Sequence, residues 1–188
     1  MPETAAEEQS TKGAETFEHV VKLLEDSRAD LARAVKGLPD EFCSRKPTDD
    51  GWSITEVVEH LAILEERILG MLQTKLPEQE LTPNHSSTRE KETELVEQVV
   101  SYKVKANAPD PVKPNGRYAS CRQALDDFKE ARQRTLDYTL STPPYLRGRL
   151  LPHPLFGPLD GCQWLLALAA HTQRHVKQIN GIKAALHS

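Results

Sequence analysis

Apolar residues recur at threes and fours from Phe17 to Leu38, at Phe17, Val20, Val21, Leu24, Leu31, Val35 and Leu38, with charges between them. That period puts them on one face of a helix. The segment GLPDEFCSRKPTDDG then supplies two prolines and an aspartate pair, and the chain must break there. A second helix opens at the sharpest start signal in the chain. Ser53 and Glu56, in SITE, form an S-x-x-E capping box just ahead of an apolar run. Trp52, immediately before the cap, is placed to staple onto Val57. Ile54, Val57, Val58, Leu61, Leu64, Ile68 and Leu72 continue one face as far as Thr74.

From Lys75 to Gly116 the chain turns proline-rich and polar, with a short helical stretch around Glu90 to Val100. This reads as an insertion or long crossover. A third helix, the weakest in pattern, is predicted from Tyr118 to Thr139, with Leu125, Phe128 and Leu136 among its buried positions. The stretch STPPYLRGRLLPHPLFGPLDG holds five prolines and three glycines, which rule out continuous helix or a central strand. It reads as an ordered loop with Leu155 and Phe156 at its tip. Asp160 can cap a fourth helix that runs to Leu186. No stretch alternates with period two for long, and no two β-branched runs flank a hairpin turn. The expected fold is all-α: a four-helix bundle with a long crossover between the second and third helices. Residues 14–188 form its single domain, and the polar, acidic residues 1–13 read as a disordered or frayed leader.

Length and composition narrow the function classes. A chain of 188 residues suits one domain with a full core. A net charge of -4 with no basic cluster argues against a nucleic-acid partner. The N-terminus lacks the positive start and apolar run of a secretory signal. The most apolar stretch, Trp164 to His171, is far shorter than the roughly twenty residues a bilayer requires, so no membrane partner is expected. Cys43, Cys121 and Cys162 lie far apart with no C-x-x-C pair. They read as small packing residues, and a reducing cytoplasm is the simplest location.

Candidate chemistry sits in HTQRH, residues 171–175. With seven histidines, chance yields an H-x-x-x-H roughly a quarter of the time, so the setting has to decide. Along the fourth helix Trp164, Leu168, Ile179, Ile182 and Leu186 collect on one stripe, and His171 and His175 fall in its middle. Two stacked imidazoles facing the seam need a partner, because a buried polar group left unpaired costs about 1–3 kcal/mol. The i, i+4 spacing lets both nitrogens converge on one metal ion. His60, at the edge of the second helix's apolar face, is the candidate third ligand. His19, His85 and His187 read as structural or solvent-facing, and His153, in PHPLFGP, is left open. Thr172 stands where a zinc protease of the H-E-x-x-H type carries its glutamate base, so that reading fails. Gln178, three residues past His175 on the inward side, and Glu56, a turn before His60, are placed to orient a ligand or shuttle a proton. A solvent-facing glutamine and a simple helix cap are the plainer alternatives. Arg174 reads as a surface arginine, with an acidic substrate group as its other possible partner.

GWSITEVVEHLAILEERI, HPLFGPLDGCQWLLALAAHTQRHVKQI and the long segment between them resemble the DinB/YfiT-like superfamily, from about Phe17 to Leu186. The resemblance implies a bundle with a long crossover, often a homodimer. It also implies a divalent metal, zinc or nickel, held by His60, His171 and His175. Its chemistry ranges from S-transferases that use a low-molecular-weight thiol, through thiol-dependent isomerases, to metal-dependent hydrolases. Three protein nitrogens leave a coordination position open, which a thiol or water can take. The leading expectation is a thiol S-transferase acting on a small-molecule electrophile. A hydrolase, or a non-catalytic metal-binding or dimeric interaction protein, is the alternative.

Overall fold

The computed structural model describes residues 3–82, 85, 87–102, 110–142 and 146–187, with side chains from residue 17 onward. The first helix, α1 (Glu3–Val35), begins well upstream of Phe17 and takes in most of the stretch expected as a leader. Ala5, Ala6, Glu7, Glu8 and Gln9 are strong helix formers, so backbone propensity extends the helix where no apolar period announces it. A one-turn helix, α2 (Asp40–Ser44), lies in the segment predicted as a break and buries Cys43. α3 (Ile54–Thr74) starts as its signal predicts. The Ser53 hydroxyl accepts from the Glu56 N–H at 3.2 Å, and the Glu56 carboxylate accepts from the Ser53 N–H at 2.7 Å.

The crossover contains α4 (Arg89–Ser101), close to the helical stretch read from the sequence, and a 3-10 turn at Asp110–Val112. α5 (Cys121–Ser141) is capped by Ser120, and α6 (Gly161–His187) by Asp160, whose Oδ1 accepts from the Gln163 N–H at 2.9 Å. α1 and α3 each pack against both α5 and α6, which makes the four long helices a bundle. α4 covers the outer side of α6. That cover explains why Gly161 through Ala170 are buried all round rather than along one stripe. Among the described residues no helix is long and apolar enough to cross a membrane.

The proline-rich segment before α6, expected as an ordered loop, is partly a hairpin. β1 (Leu150–His153) pairs antiparallel with β2 (Gly157–Asp160), Pro152 opposite Pro158. Prolines are tolerated there because the two-stranded ribbon has only edge strands. A hairpin of this size is marginal alone. It is held by Leu151 and Leu159, both buried in the core, and by the Trp164 indole N–H, which donates to the Leu151 carbonyl at 3.3 Å.

Two apolar clusters fill the bundle. One contains Leu24, Ile68, Leu136 and Leu165; the other contains Leu31, Leu61, Phe128 and Ile179. Between them lies a polar layer with one residue from each long helix: Ser27, Glu65, Arg132 and Thr172, all at 0 % exposure. Arg132 grips the Glu65 carboxylate with two bonds of 2.7 and 2.9 Å. It also donates to Ser27 Oγ at 2.7 Å, the Leu24 carbonyl at 2.8 Å and Thr172 Oγ1 at 3.1 Å. Such a pair is tolerable in a core only because its remaining polar atoms are satisfied. Thr172 therefore serves the core, in the position where a zinc protease would need a base.

Candidate metal centre

α3 presents His60 and α6 presents His171 and His175, one helical turn apart. Three ring nitrogens, one from each, lie within 4.8 Å of one another. His60 is only 4 % exposed, so the edge position expected from its helix becomes an interior one. The cover comes from outside the helix. Trp52 stands 5.0 Å from the His60 ring, and the 3-10 turn brings the Val112 carbonyl 2.6 Å from His60 Nδ1. That turn is followed by a segment tied to the neighbouring residue of α3, because Glu59 accepts from the Asn115 and Arg117 N–H groups at 2.8 and 2.9 Å.

The hydrogen bonds fix which nitrogens carry protons. A carbonyl oxygen only accepts, so Val112 requires the His60 proton on Nδ1, and Gln178 Oε1, 2.7 Å from His175 Nδ1, requires the same of His175. Both rings then aim an Nε2 lone pair at His171. His60 Nε2 is 3.1 Å and His175 Nε2 is 2.9 Å from His171 Nε2. One proton on His171 can serve only one of these contacts, which leaves an excess of lone pairs at a shared point. Nitrogens bound tetrahedrally at about 2.0–2.1 Å would lie about 3.3 Å apart, so the donor set fits a divalent ion with little movement.

Electrostatics keep the donors in ligand form. Burial lowers the pKa of all three rings. It takes His175 to about 3 and His171 well below its usual value, with repulsion from the other histidines and Arg174 adding to the shift. They are neutral imidazoles at neutral pH, as metal ligation requires. His171 is the most open of the three and faces a cleft of about 1550 Å³. Apolar side chains of α3 and α6, Ile68, Met71, Trp164 and Leu168, line much of its wall.

The other sequence candidates divide. Gln178 holds His175 directly. Glu56 lines the same cleft, but its oxygens are engaged by the Ser53 N–H and by Lys46 Nζ at 2.9 Å. Arg174 also lines the cleft; its Nε donates to the Tyr102 carbonyl at 3.1 Å and its guanidinium lies over the Tyr102 ring. His187 stacks on Phe42, and His85 sits 3.6 Å from Asp160, both away from the cluster. Cys43, Cys121 and Cys162 are buried and free, and burial pushes the Cys162 thiol up to about 12. The supporting roles of Trp52, Val112 and Glu59 have no motif. The capping-box tryptophan was the nearest signal.

Comparison with known proteins places the chain's family and fold. A family model described as the DinB superfamily matches residues 23–179. The uncharacterized protein YuaE of Bacillus subtilis (strain 168) is 26 % identical over 163 residues, spanning 87 % of this chain and 96 % of YuaE. Among solved structures, YfiT from Bacillus subtilis aligns with a TM-score of 0.60 at 20 % identity, covering 89 % of this chain and 86 % of YfiT. YfiT is described as a probable metal-dependent hydrolase with an unusual four-helix bundle topology. TT2238, a four-helix bundle protein, aligns with a TM-score of 0.57 at 20 % identity over 88 % of this chain and 98 % of its own.

Proposed function

Because the chain belongs to the DinB superfamily, we propose that it is an enzyme dependent on a divalent metal, zinc or nickel, held by His60, His171 and His175. The observation that carries this reading is the convergence of three Nε2 atoms, two with their opposite nitrogens fixed by Val112 and Gln178. The description of YfiT as a probable metal-dependent hydrolase supports the metal. A divalent ion at such a site is a Lewis acid that turns a bound thiol or water into a stronger nucleophile at neutral pH.

The first reading of the reaction is S-transfer from a low-molecular-weight thiol to a small electrophile. A cleft of about 1550 Å³ exceeds the usual size for a single small ligand, which suits two co-substrates. The chain's own cysteines are buried, so the sulfur has to come from outside. Protein residues bind and orient: Trp52 and the apolar wall exclude water, while Val112 and Gln178 hold the imidazoles in the productive tautomer. Hydrolysis at the same site is the second reading, favoured by YfiT.

Protein loaded with zinc or nickel is assayed with cysteine and monochlorobimane, and separately with 4-nitrophenyl acetate. Thiol consumption abolished by His171→Ala supports the first reading; ester cleavage abolished by the same change supports the second. Metal bound without either turnover contradicts both and leaves a metal-binding or interaction protein.

A further inference from the structure

A fourth histidine lines the cleft without joining the cluster. His153 ends β1, and the loop Pro154, Leu155, Phe156 returns the chain to Gly157, whose φ of 75° closes the turn. This turn brings the N–H groups of Leu155 and Phe156 to 3.2 and 3.3 Å from His153 Nδ1. A ring nitrogen that accepts from backbone N–H carries no proton, so the ring's single proton is on Nε2. The Phe156 and Trp164 rings, with centroids 4.8 and 4.6 Å away, fix the imidazole plane. Nδ1 is occupied by the hairpin's own tip. Nε2 lies across the ring from it, and the half-buried ring borders the open cleft. His171 lines the same cleft.

In the turn the ring packs between Phe156 and Trp164, and its Nδ1 accepts from the Leu155 and Phe156 N–H groups. Beyond accepting from the turn, the ring presents a polar donor of fixed direction beside the apolar Leu155, Phe156 and Trp164. Such donors, preset toward the place where an oxygen gains negative charge, are worth more against an apolar wall than in bulk water.

We infer that His153 is a substrate-binding residue whose Nε2–H donates to an oxygen of the electrophile, while the electrophile's apolar body lies against Phe156 and Trp164. The inference rests on the metal-site reading for where the reacting centre sits. The substrate class it names is an apolar compound carrying a carbonyl or phosphoryl oxygen. The proton stays on Nε2: the residue contributes a hydrogen bond, and no proton transfer is involved.

The test begins with metal-free protein carrying 15N-labelled histidine. Long-range 15N–1H correlation at neutral pH reads the His153 tautomer, assigned by the resonance lost in His153→Gln. A protonated Nε2 and bare Nδ1 are expected; a proton on Nδ1 overturns the inference. Benzylphosphonate, with an apolar ring and acceptor oxygens, is then titrated into zinc-loaded and metal-free protein by calorimetry. His153→Phe is expected to weaken its binding about ten- to a hundredfold, the loss of one hydrogen bond to a charged group. His153→Gln keeps an N–H near the Nε2 position and is expected to stay within about threefold of wild type. Thermal melts establish that both variants are folded. Equal affinity in His153→Phe, or no binding by either form of the wild-type protein, contradicts the inference. Failure to take up zinc instead contradicts the three-histidine reading, and the tautomer and metal-free titration still report on His153.

Discussion

Gln178, expected on the inward side of its helix, is exposed, yet it governs a buried site. Its Oε1 is 2.7 Å from His175 Nδ1 and decides which nitrogen faces the cluster. Replacement by alanine is expected to lower metal affinity about 10–100-fold with little loss of fold, measured by zinc competition against a chelating dye. His171 and His175 were legible as a pair because helical spacing and an apolar stripe are sequence properties. The burial of His60 was not, because Trp52 and Val112 cover it from outside its helix. His153 gives a pH prediction. Burial takes its pKa to about 4, against about 6.5 in an unfolded chain. The folded-state value is the lower one, so its contribution to stability is complete above pH 6.5 and is lost as pH falls toward 4. Urea melts of wild type and His153→Gln are expected to converge in part over that window; a difference independent of pH would contradict it.

At the scale of elements, the hairpin is where sequence reading fell short. Periodicity is uninformative over strands of four residues interrupted by Pro152 and Pro158, and the fixing contacts come from Trp164 and the core. The turn depends on Gly157 at a positive φ, and a side chain there is strained by about 1–2 kcal/mol. Gly157→Ala is therefore expected to lower thermal stability modestly and to broaden the His153 resonance, while leaving metal content unchanged. A variant with wild-type stability would show that the turn accepts a side chain. The helices were more legible. The capping box fixed the start of α3, and Asp160 that of α6, because a cap is a local hydrogen-bonding pattern. α1 was read too short because a helix can continue on propensity where no apolar period marks it.

Across the whole molecule, the layer of Ser27, Glu65, Arg132 and Thr172 joins all four long helices at one level. In sequence Arg132 and Glu65 resemble surface charges between apolar positions, because a buried pair is recognisable only when both partners are known. The layer adjoins the site through Thr172, the residue after His171. Arg132→Met alone is expected to destabilise by about 3–5 kcal/mol, since Glu65 is left buried and unpaired. Replacing both, with Glu65→Leu added, is expected to recover much of that loss in urea melts; equal losses would mean that the ion pair itself was strongly stabilising. The all-α bundle with its long middle crossover followed from four amphipathic stretches and one polar interval. The crossover's function did not, because covering His60 and α6 depends on where the segment folds back.

The proposed chemistry depends on the ion. Untagged protein, supplied with zinc or nickel and freed of excess by gel filtration, is analysed by inductively coupled plasma mass spectrometry. About one ion per chain is expected, lost when His60, His171 or His175 is replaced by alanine. Far less than one ion per chain in the wild-type protein, with both metals supplied, would contradict the three-histidine reading.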